Sequence, residues 1–222
     1  MISVVVPALD KALGIADCLA SARDPDVVEI IVVDGGSRDA TREIASRLAS
    51  VVTSPAGRAA QMNAGAARAT GEVLLFLHAD TRLPPGFGKA VRRAVEGGAV
   101  GGRFDLRVEG SHPCLGLLSA AINARSRWSG ISTGDQALFA TREAFRAVGG
   151  FESIPLMEDV RFTAALRRLG PVAALRERVS TSGRRWERHG FARTVLLMWR
   201  LRLLHAWGVS PERLAARYRA VR

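Results

Sequence analysis

Three acidic stretches of the 222-residue chain carry residue types that could do chemistry. The apolar run EIIVVD ends on Asp34 and continues into two glycines, and the apolar run VLLFLH is followed closely by Asp80. A buried strand can present a carboxylate at its end to a ligand, and glycines after it let the backbone approach that ligand closely. The third stretch, MEDVRF, places Glu158 and Asp159 at the start of a predicted helix.

Asp80 is the candidate metal ligand. Mg²⁺ in proteins takes one or two carboxylates and completes its coordination with substrate phosphates and water. A carboxylate at an open strand end therefore fits a diphosphate-bound divalent cation, either Mg²⁺ or Mn²⁺. A plainer interpretation of Asp80 stays open, as a turn residue before the helix that follows Pro84. His78 could be a metal ligand, a partner of a metal ligand or a half-buried strand end.

Asp159 is the candidate catalytic base. Acidic residues are favoured at helix starts by the helix dipole, so a purely structural role would also explain the pair. A helix end is rigid, however, and would hold a base well. Adjacent side chains on a helix point in different directions, so only one of Glu158 and Asp159 is expected to face a substrate.

The elements that must position these acids alternate between strand and helix patterns through the first ~95 residues. Strands are predicted at 2–6, 29–34, 51–54 and 73–78, and helices at 14–22, 39–48, 58–69 and 84–96. This alternation predicts an α/β fold with a mostly parallel central sheet and flanking helices. Ligands bind such sheets at the carboxyl ends of strands, so Asp34 and Asp80 are expected in one crevice. Ser37 or Asp39 is expected to cap the second helix.

The second half of the chain is less regular. Strands are predicted at 101–108 and 134–141, and helices at 112–128, 142–148 and 157–170. The apolar, arginine-studded segment 191–207 predicts either a helix packed on the domain or a helix at a membrane interface. It is too short to span a bilayer. The sequence thus predicts a domain over 1–190 and a helical tail over 191–222.

The chain is strongly basic, with 32 Lys and Arg against 21 Asp and Glu and a net charge of +11. Such a charge favours anionic partners, from phosphorylated metabolites to nucleic acid or an anionic membrane. Aromatic residues are 6% and the arginines are spread along the chain, which argues against nucleic-acid binding. Cys18 and Cys114 predict no disulfide. With no signal-peptide pattern, we expect a cytoplasmic protein, either free or peripheral on the inner face of the plasma membrane.

Other enzyme classes lack their motifs. No GxGxxG follows a strand, as a nicotinamide dehydrogenase would need, and no GxSxG of a serine hydrolase is present. A sugar nucleotidyltransferase would need a glycine-rich signature with a basic residue after the first strand, where PALDKALG offers one lysine and one nearby glycine. That enzyme and a non-enzymatic, basic nucleic-acid-binding protein are the alternatives.

Taken in order, the motifs resemble those of the inverting family 2 glycosyltransferases of the GT-A fold. The resemblance is to the small bacterial type with HAD in place of DXD, which has been linked to arsenosugar-type biosynthesis. The matching stretches are VVVPALD, VVDGGSRDAT, GRAAQMNAGA, GEVLLFLHADT, GDQALF and GGFESIPLMEDV. The resemblance implies the GT-A (nucleotide-diphospho-sugar transferase) fold and transfer from a nucleoside diphosphate sugar, usually a UDP-sugar, to a hydroxyl of a small-molecule or lipid acceptor.

The resemblance also implies roles for donor-side residues. Pro7 and Ala8 would lie against the nucleotide base, which Asp34 would read. Arg58 would contact the base or a phosphate. Asp80 would bind the divalent metal.

On the acceptor side, the resemblance implies that Asp159 is the general base and that Gly134, Asp135 and Glu158 lie near the sugar and the acceptor. Two departures from the family pattern matter for the donor. Lys11 stands where the family commonly has a glutamate, and His78 replaces the first acid of DXD. Residues 184–186 only partly echo the QxxRW motif, which argues against a processive polysaccharide synthase.

Overall fold

A computed structural model describes residues 1–184, 186 and 190–219. The strands are β1 (Ile2–Ala8), β2 (Val27–Asp34), β3 (Ser50–Thr53), β4 (Val73–Phe76), β5 (Thr81–Arg82), β6 (Gly101–Glu109), β7 (Leu138–Thr141) and β8 (Val172–Ser182). The helices are α1 (Ile15–Ser21), α2 (Thr41–Ser46), α3 (Arg58–Arg68), α4 (Phe87–Glu96), α5 (Leu115–Ser129), α6 (Arg142–Ala147), α7 (Glu158–Leu169), α8 (Phe191–Ala206) and α9 (Pro211–Arg219).

The strands form one sheet in the order β3-β2-β1-β4-β7-β6-β8-β5. Four neighbouring pairs are parallel, namely β3–β2, β2–β1, β1–β4 and β6–β8. The pairs β4–β7, β7–β6 and β8–β5 are antiparallel. The predicted α/β fold with a mostly parallel sheet is therefore confirmed, and the antiparallel pairs all involve strands that follow β4.

Both faces of the sheet are covered, which explains why β1 is buried throughout and apolar except for Ser3. Val4 and Val6 belong to one core cluster and Val5 to another, because alternate side chains of a strand point to opposite faces. On the second face, α3 packs directly on β1. A Cβ atom at Gly65 would lie only 2.3 Å from Val5 Cγ1, so the close approach of helix and strand depends on this glycine.

Three local predictions are wrong or incomplete. Residues Gly134–Gln136 form a 3₁₀ turn instead of the start of a strand, because Ala137 has a left-handed φ of 47° that separates the turn from β7. The strands β5 and β8 were not predicted, whereas α9 lies within the segment expected to form a helical tail. Ala40 is the N-cap residue of α2, and no side chain caps that helix. The Ser37 hydroxyl donates to Asp34 instead, and Asp39 accepts the Ala12 N–H of the loop after β1.

The segment after residue 190 is helical, and one face of α8 packs on the domain. Phe191 and Val195 contact the main core cluster, and Leu201 forms a small cluster with Met157 and Leu214. No helix in the described ranges is long and apolar enough to cross a membrane. The described residues do not include 185, 187–189 and 220–222. Residue 185 belongs to the 184–186 motif, 187–189 to the predicted domain and 220–222 to the predicted tail.

Candidate active site

Asp34 lies at the carboxyl end of β2, opposite Ala8 of β1 in the strand register. Its side chain is buried and closes the turn that follows. Oδ1 accepts hydrogen bonds from the Ser37 backbone N–H at 3.1 Å and from the Ser37 hydroxyl, and Oδ2 accepts one from the Gly36 N–H at 3.3 Å. The sequence of strand, two glycines and serine thus holds one carboxylate at the sheet edge.

Pro7 and Ala8 end β1 beside this turn, and a buried amide fixes their position. Gln61 Nε2 of α3 donates to the carbonyls of both Ala8 and Val33 at 2.8 Å. One side chain therefore connects the ends of β1 and β2. We assigned no role to Gln61 from the sequence, although a glutamine on the sheet-facing side of a small-residue helix was a signal of a buried polar contact.

The loop after β1 carries Lys11 to Asp80. Its backbone is held by the α2 loop, because Lys11 N–H donates to Thr41 Oγ1 at 2.6 Å and Ala12 N–H donates to Asp39 Oδ2 at 3.0 Å. Lys11 Nζ then lies 3.0 Å from Asp80 Oδ2. The lysine that departs from the family pattern is therefore the ion-pair partner of the candidate metal ligand.

His78 lies between Asp80 and the 3₁₀ turn. A Cβ atom at Gly134 would lie 2.6 Å from His78 Nε2, so the imidazole can occupy this position only beside a glycine. Burial and the positive charge of Arg58 lower the pKa of His78 to about 4, although Asp80 and Asp135 act in the opposite direction. The imidazole is therefore uncharged at neutral pH.

Asp159 begins α7 on the other side of Gly134. Its Oδ2 accepts the Gly134 N–H at 2.8 Å, and its Oδ1 accepts the Val160 N–H at 2.7 Å. The side chain is mostly buried. Two backbone donors fix the orientation of this carboxylate and leave further lone pairs available to accept a proton or a hydroxyl hydrogen bond.

Glu158 points elsewhere and pairs with Arg58. Glu158 Oε1 lies 3.4 Å from Arg58 Nη1, and the glutamate side chain is 4% exposed against 40% for the arginine. Burial and the adjacent charge of Asp159 raise the pKa of Glu158, an effect that Arg58 opposes. The two neighbouring acids are thus in different surroundings: Glu158 beside a guanidinium, Asp159 beside backbone N–H groups.

Asp135 lies on the far side of the turn. Its Oδ1 is buried, and no hydrogen-bond donor contacts it within the described ranges. Arg125 of α5 and Arg202 of α8 lie close enough for the charge of Asp135 to raise their pKa values, although burial lowers both. Sequence reasoning missed these two arginines, which no local motif marks.

Asp80 and His78 are the candidate metal ligands. No group of three or more His, Cys, Asp or Glu side chains that could hold a metal is found among the described residues. The carboxylate of Asp80 and the uncharged imidazole of His78 nevertheless fit a divalent cation that takes its remaining ligands from a diphosphate and water. The described residues do not supply enough ligands to hold a metal ion without a diphosphate or water.

The structure therefore brings most of the predicted residues to one edge of the sheet. Asp80, Arg58, Asp135 and Gly134 lie near His78, and Glu158 and Asp159 contact Arg58 and Gly134 in turn. Pro7, Ala8 and Asp34 lie at the neighbouring ends of β1 and β2. A separate surface cavity of about 410 Å³ lies at the amino end of β2, lined by residues such as Arg23, Val28 and Ser50. It is remote from these acids and carries no comparable set of groups.

Solved structures share this fold. The crystal structure of residues 1–349 of S. aureus TarS is similar with a TM-score of 0.61 and 17% identity, over 82% of this chain and 60% of that one. Glucosyl-3-phosphoglycerate synthase from Mycobacterium tuberculosis, crystallised with Mn²⁺, UDP and glucosyl-3-phosphoglycerate, gives 0.60 and 22% over 80% and 70% of the two chains. The chain has the GT-A fold of these proteins.

The sequence also assigns a family. The model of glycosyl transferase family 2 matches residues 3–144, and the chain belongs to that family. No curated protein matches. The chain spans about 60% of the TarS structure it resembles, and the family match ends within α6, before Glu158 and Asp159.

Proposed function

We propose that this protein is an inverting, metal-assisted glycosyltransferase that moves a sugar from a nucleoside diphosphate sugar, first of all a UDP-sugar, to an acceptor hydroxyl. The observation that carries the proposal is the buried carboxylate of Asp159, oriented by the Gly134 N–H and near the charge of Arg58. On the other side of Gly134 lies His78, on which the Lys11–Asp80 pair acts. Family membership supports it, as do similar structures solved with UDP-GlcNAc and with UDP-glucose and Mn²⁺. We also propose that the protein belongs to the small bacterial type of this family, which has HAD in place of DXD.

In this proposal the donor lies across the carboxyl ends of β1 and β2. Pro7 and Ala8 contact the base and Asp34 accepts hydrogen bonds from it. Arg58 and Lys11 place positive charge where the diphosphate leaves, and that charge stabilises the departing oxygens. Asp80, with His78 beside it, would hold a divalent cation, which when bound would supply Lewis-acid stabilisation of the leaving diphosphate.

The acceptor approaches from the side of α7. Its hydroxyl oxygen forms a bond to the anomeric carbon as the bond from that carbon to the diphosphate breaks, and Asp159 removes the hydroxyl proton. One displacement from the face opposite the leaving group inverts the anomeric centre, so no covalent sugar–enzyme intermediate is needed. Glu158 orients Arg58, and the Gly134 N–H orients Asp159. Neither residue takes the proton.

The test is a panel of UDP-, GDP- and dTDP-sugars with Mn²⁺. Thermal shift identifies the nucleotide, and the reaction is then followed by release of free nucleoside diphosphate and by the anomeric configuration of the product. We expect release of UDP and an inverted product. Formation of a sugar nucleotide from an NTP, with release of pyrophosphate, would identify a sugar nucleotidyltransferase instead.

We also propose that the protein works in the cytoplasm at the anionic inner face of the plasma membrane, as a domain over 1–190 with an interfacial tail over 191–222. The supporting observation is the outward face of α8. Its large apolar side chains recur at spacings of three or four residues and are exposed: Leu196 (71%), Trp199 (69%), Leu203 (50%) and Trp207 (73%). With exposed arginines such as Arg193 nearby, this stripe is typical of a helix that lies in a membrane interface.

A further inference from the structure

Two arginines and two buried polar atoms on the acceptor side have no role in the reaction proposed above. Arg125 lies on α5 and Arg202 on α8. Asp135 Oδ1 and His205 Nδ1 are buried without a hydrogen-bond partner in the described part of the chain. Unpaired buried polar groups are costly, so a set of them beside a reaction site indicates a bound ligand.

The packing of α8 places Arg202 and His205 at the active site. Leu201 is 2% exposed and packs with Met157, the residue before Glu158. Val160, the residue after Asp159, joins the same cluster. Arg202 follows Leu201 directly and His205 lies one turn further on, so the inner face of α8 lies against the start of α7.

Arg125 reaches the same place from α5. Its Nη1 donates to the Ile131 carbonyl at 3.3 Å, in the segment that leads into the 3₁₀ turn. The next residue, Ser126, is buried, and its Oγ accepts a hydrogen bond from Gln136 Nε2 at 3.0 Å, at the end of that turn. These contacts hold α5 against the loop that carries Gly134 and Asp135.

The charge of Arg202 acts on Arg125, and the charges of Asp135 and Asp159 act on both guanidinium groups. Burial and the charge of Arg202 lower the pKa of Arg125 to about 10. Neither arginine forms an ion pair with a described acidic residue, and the Ile131 carbonyl is the one acceptor found for either among those residues. Each guanidinium has five N–H donors, so most of this donor capacity is available to an anion.

We propose that Arg125 and Arg202 together bind a phosphate group of the acceptor, so that this enzyme glycosylates a phosphorylated acceptor. Two forked cations match the charge and the oxygens of a phosphate monoester, whereas a carboxylate needs only one. Asp135 Oδ1 accepts from another acceptor hydroxyl. The phosphate serves for binding only, and a hydroxyl remains the nucleophile that Asp159 deprotonates. The inference rests on the proposed function. There, Arg58 and Lys11 bind the donor diphosphate, whereas Arg125 and Arg202 bind the acceptor.

Inorganic phosphate is the first probe, titrated by calorimetry into protein saturated with UDP and Mg²⁺ so that the donor site is filled. We expect Arg125→Gln and Arg202→Gln each to weaken phosphate binding about tenfold or more, and Arg202→Lys to weaken it less. Arg200→Gln is the matched control, because Arg200 is exposed on the same helix. UDP affinity, unchanged in all four variants, shows that they are folded.

Three results would overturn the proposal: phosphate binding that survives Arg202→Gln, an equal loss in Arg200→Gln, or displacement of phosphate by UDP. A failure of the proposed function looks different. If no nucleotide binds while phosphate still distinguishes Arg202→Gln from Arg200→Gln, the anion site is supported and the glycosyltransferase assignment is wrong.

A second arm separates soluble from lipid phosphates. Glycerol 3-phosphate and vesicles that contain phosphatidic acid present the same phosphate monoester, and each is tested as a competitor of inorganic phosphate. Competition by either supports the site and identifies its source, with loss of the effect in Arg202→Gln. Competition by neither, under conditions where inorganic phosphate binds, contradicts a phosphate-ester acceptor.

Discussion

The N–H of Gly134 donates to Asp159 on one side of the turn, and the Cα of the same residue leaves room for His78 on the other. The proposed base and the HAD segment therefore share one backbone position. Asp159→Asn keeps an oxygen that can accept this hydrogen bond but removes the basic group. We expect sugar transfer to fall about 10²–10⁴-fold while UDP affinity stays unchanged.

Glu158→Gln is the comparison for that variant, measured by initial transfer rates at saturating donor. Because Glu158 faces Arg58, we expect a much smaller loss than in Asp159→Asn. Near-normal turnover in Asp159→Asn, or a larger loss in Glu158→Gln, would remove Asp159 from the role of base.

Asp80→Ala should weaken the metal-dependent part of donor binding. In wild-type protein, we expect UDP affinity to rise on addition of Mn²⁺ and to fall again with EDTA, and this difference should be largely lost in the variant. Metal-free binding should not fall, because removal of the carboxylate leaves Lys11 unpaired beside the diphosphate. An Mn²⁺ titration that gives the same UDP affinity as wild type would contradict the assignment. Asp17→Ala, on the exposed face of α1, is the control.

At the scale of single residues, the sequence predicted the candidate site residues that belong to local motifs. Asp34 and Asp80 follow apolar runs and Asp159 starts an amphipathic helix, so strand and helix patterns indicated their positions. Arg125 and Arg202 could not be found in the same way. Their position depends on α5 packing against the 3₁₀ turn and on α8 packing against the start of α7, contacts between segments far apart in the sequence. An arginine on a helix otherwise looks like a solvated surface residue.

At the scale of elements, the contact of α3 with β1 gives a stability prediction. Gly65→Ala places a Cβ 2.3 Å from Val5 Cγ1, in a fully buried strand that cannot move aside. We expect the free energy of unfolding, measured by denaturant titration, to fall by about 1–3 kcal/mol.

Gly116→Ala is the matched control, because Gly116 is also helical but has no atom within 4 Å of the added Cβ. There the gain in helix propensity should raise stability by about 0.5–1 kcal/mol. Equal effects of the two substitutions would show that α3 does not depend on close packing at this position.

The elements that the sequence missed have physical reasons. In β8 only Val179 is fully buried, and the charged residues at 176–178 interrupt any apolar run. Its stability comes from pairing with β6 and β5, which are distant in sequence. The first four strands were predictable because each carries a local apolar run, and β1 and β4 are buried along their whole length.

At the scale of the whole molecule, the exposed stripe of α8 predicts membrane binding. We expect the protein to sediment with vesicles rich in anionic lipid and to be released by high salt, which screens the arginines. Trp199→Ser with Trp207→Ser should largely abolish sedimentation. Val28→Ser, an exposed apolar residue at the amino end of β2, should not change it. Equal sedimentation of the tryptophan variant and wild type would contradict the membrane proposal.

The two cysteines report on the integrity of the fold as a whole. Cys18 is 1% exposed, and burial raises the pKa of its thiol well above the usual range, whereas Cys114 is partly exposed. A thiol reagent should therefore modify about one group per native chain and both after denaturation, since the thiolate is the reactive form. Rapid labelling of native Cys114→Ser would show that α1 opens readily.

The family match covers β1 to β7 but stops before α7 and α8, which carry residues on the other side of the candidate site. The two sides of the reaction centre therefore depend on different stretches of chain. If the proposed function holds, mutations in α8 would alter which molecule is modified while the half proposed to bind the nucleotide keeps its sequence. Descendants of one ancestral gene could diversify their products by drift in a single terminal helix, without passing through an intermediate that has lost its donor.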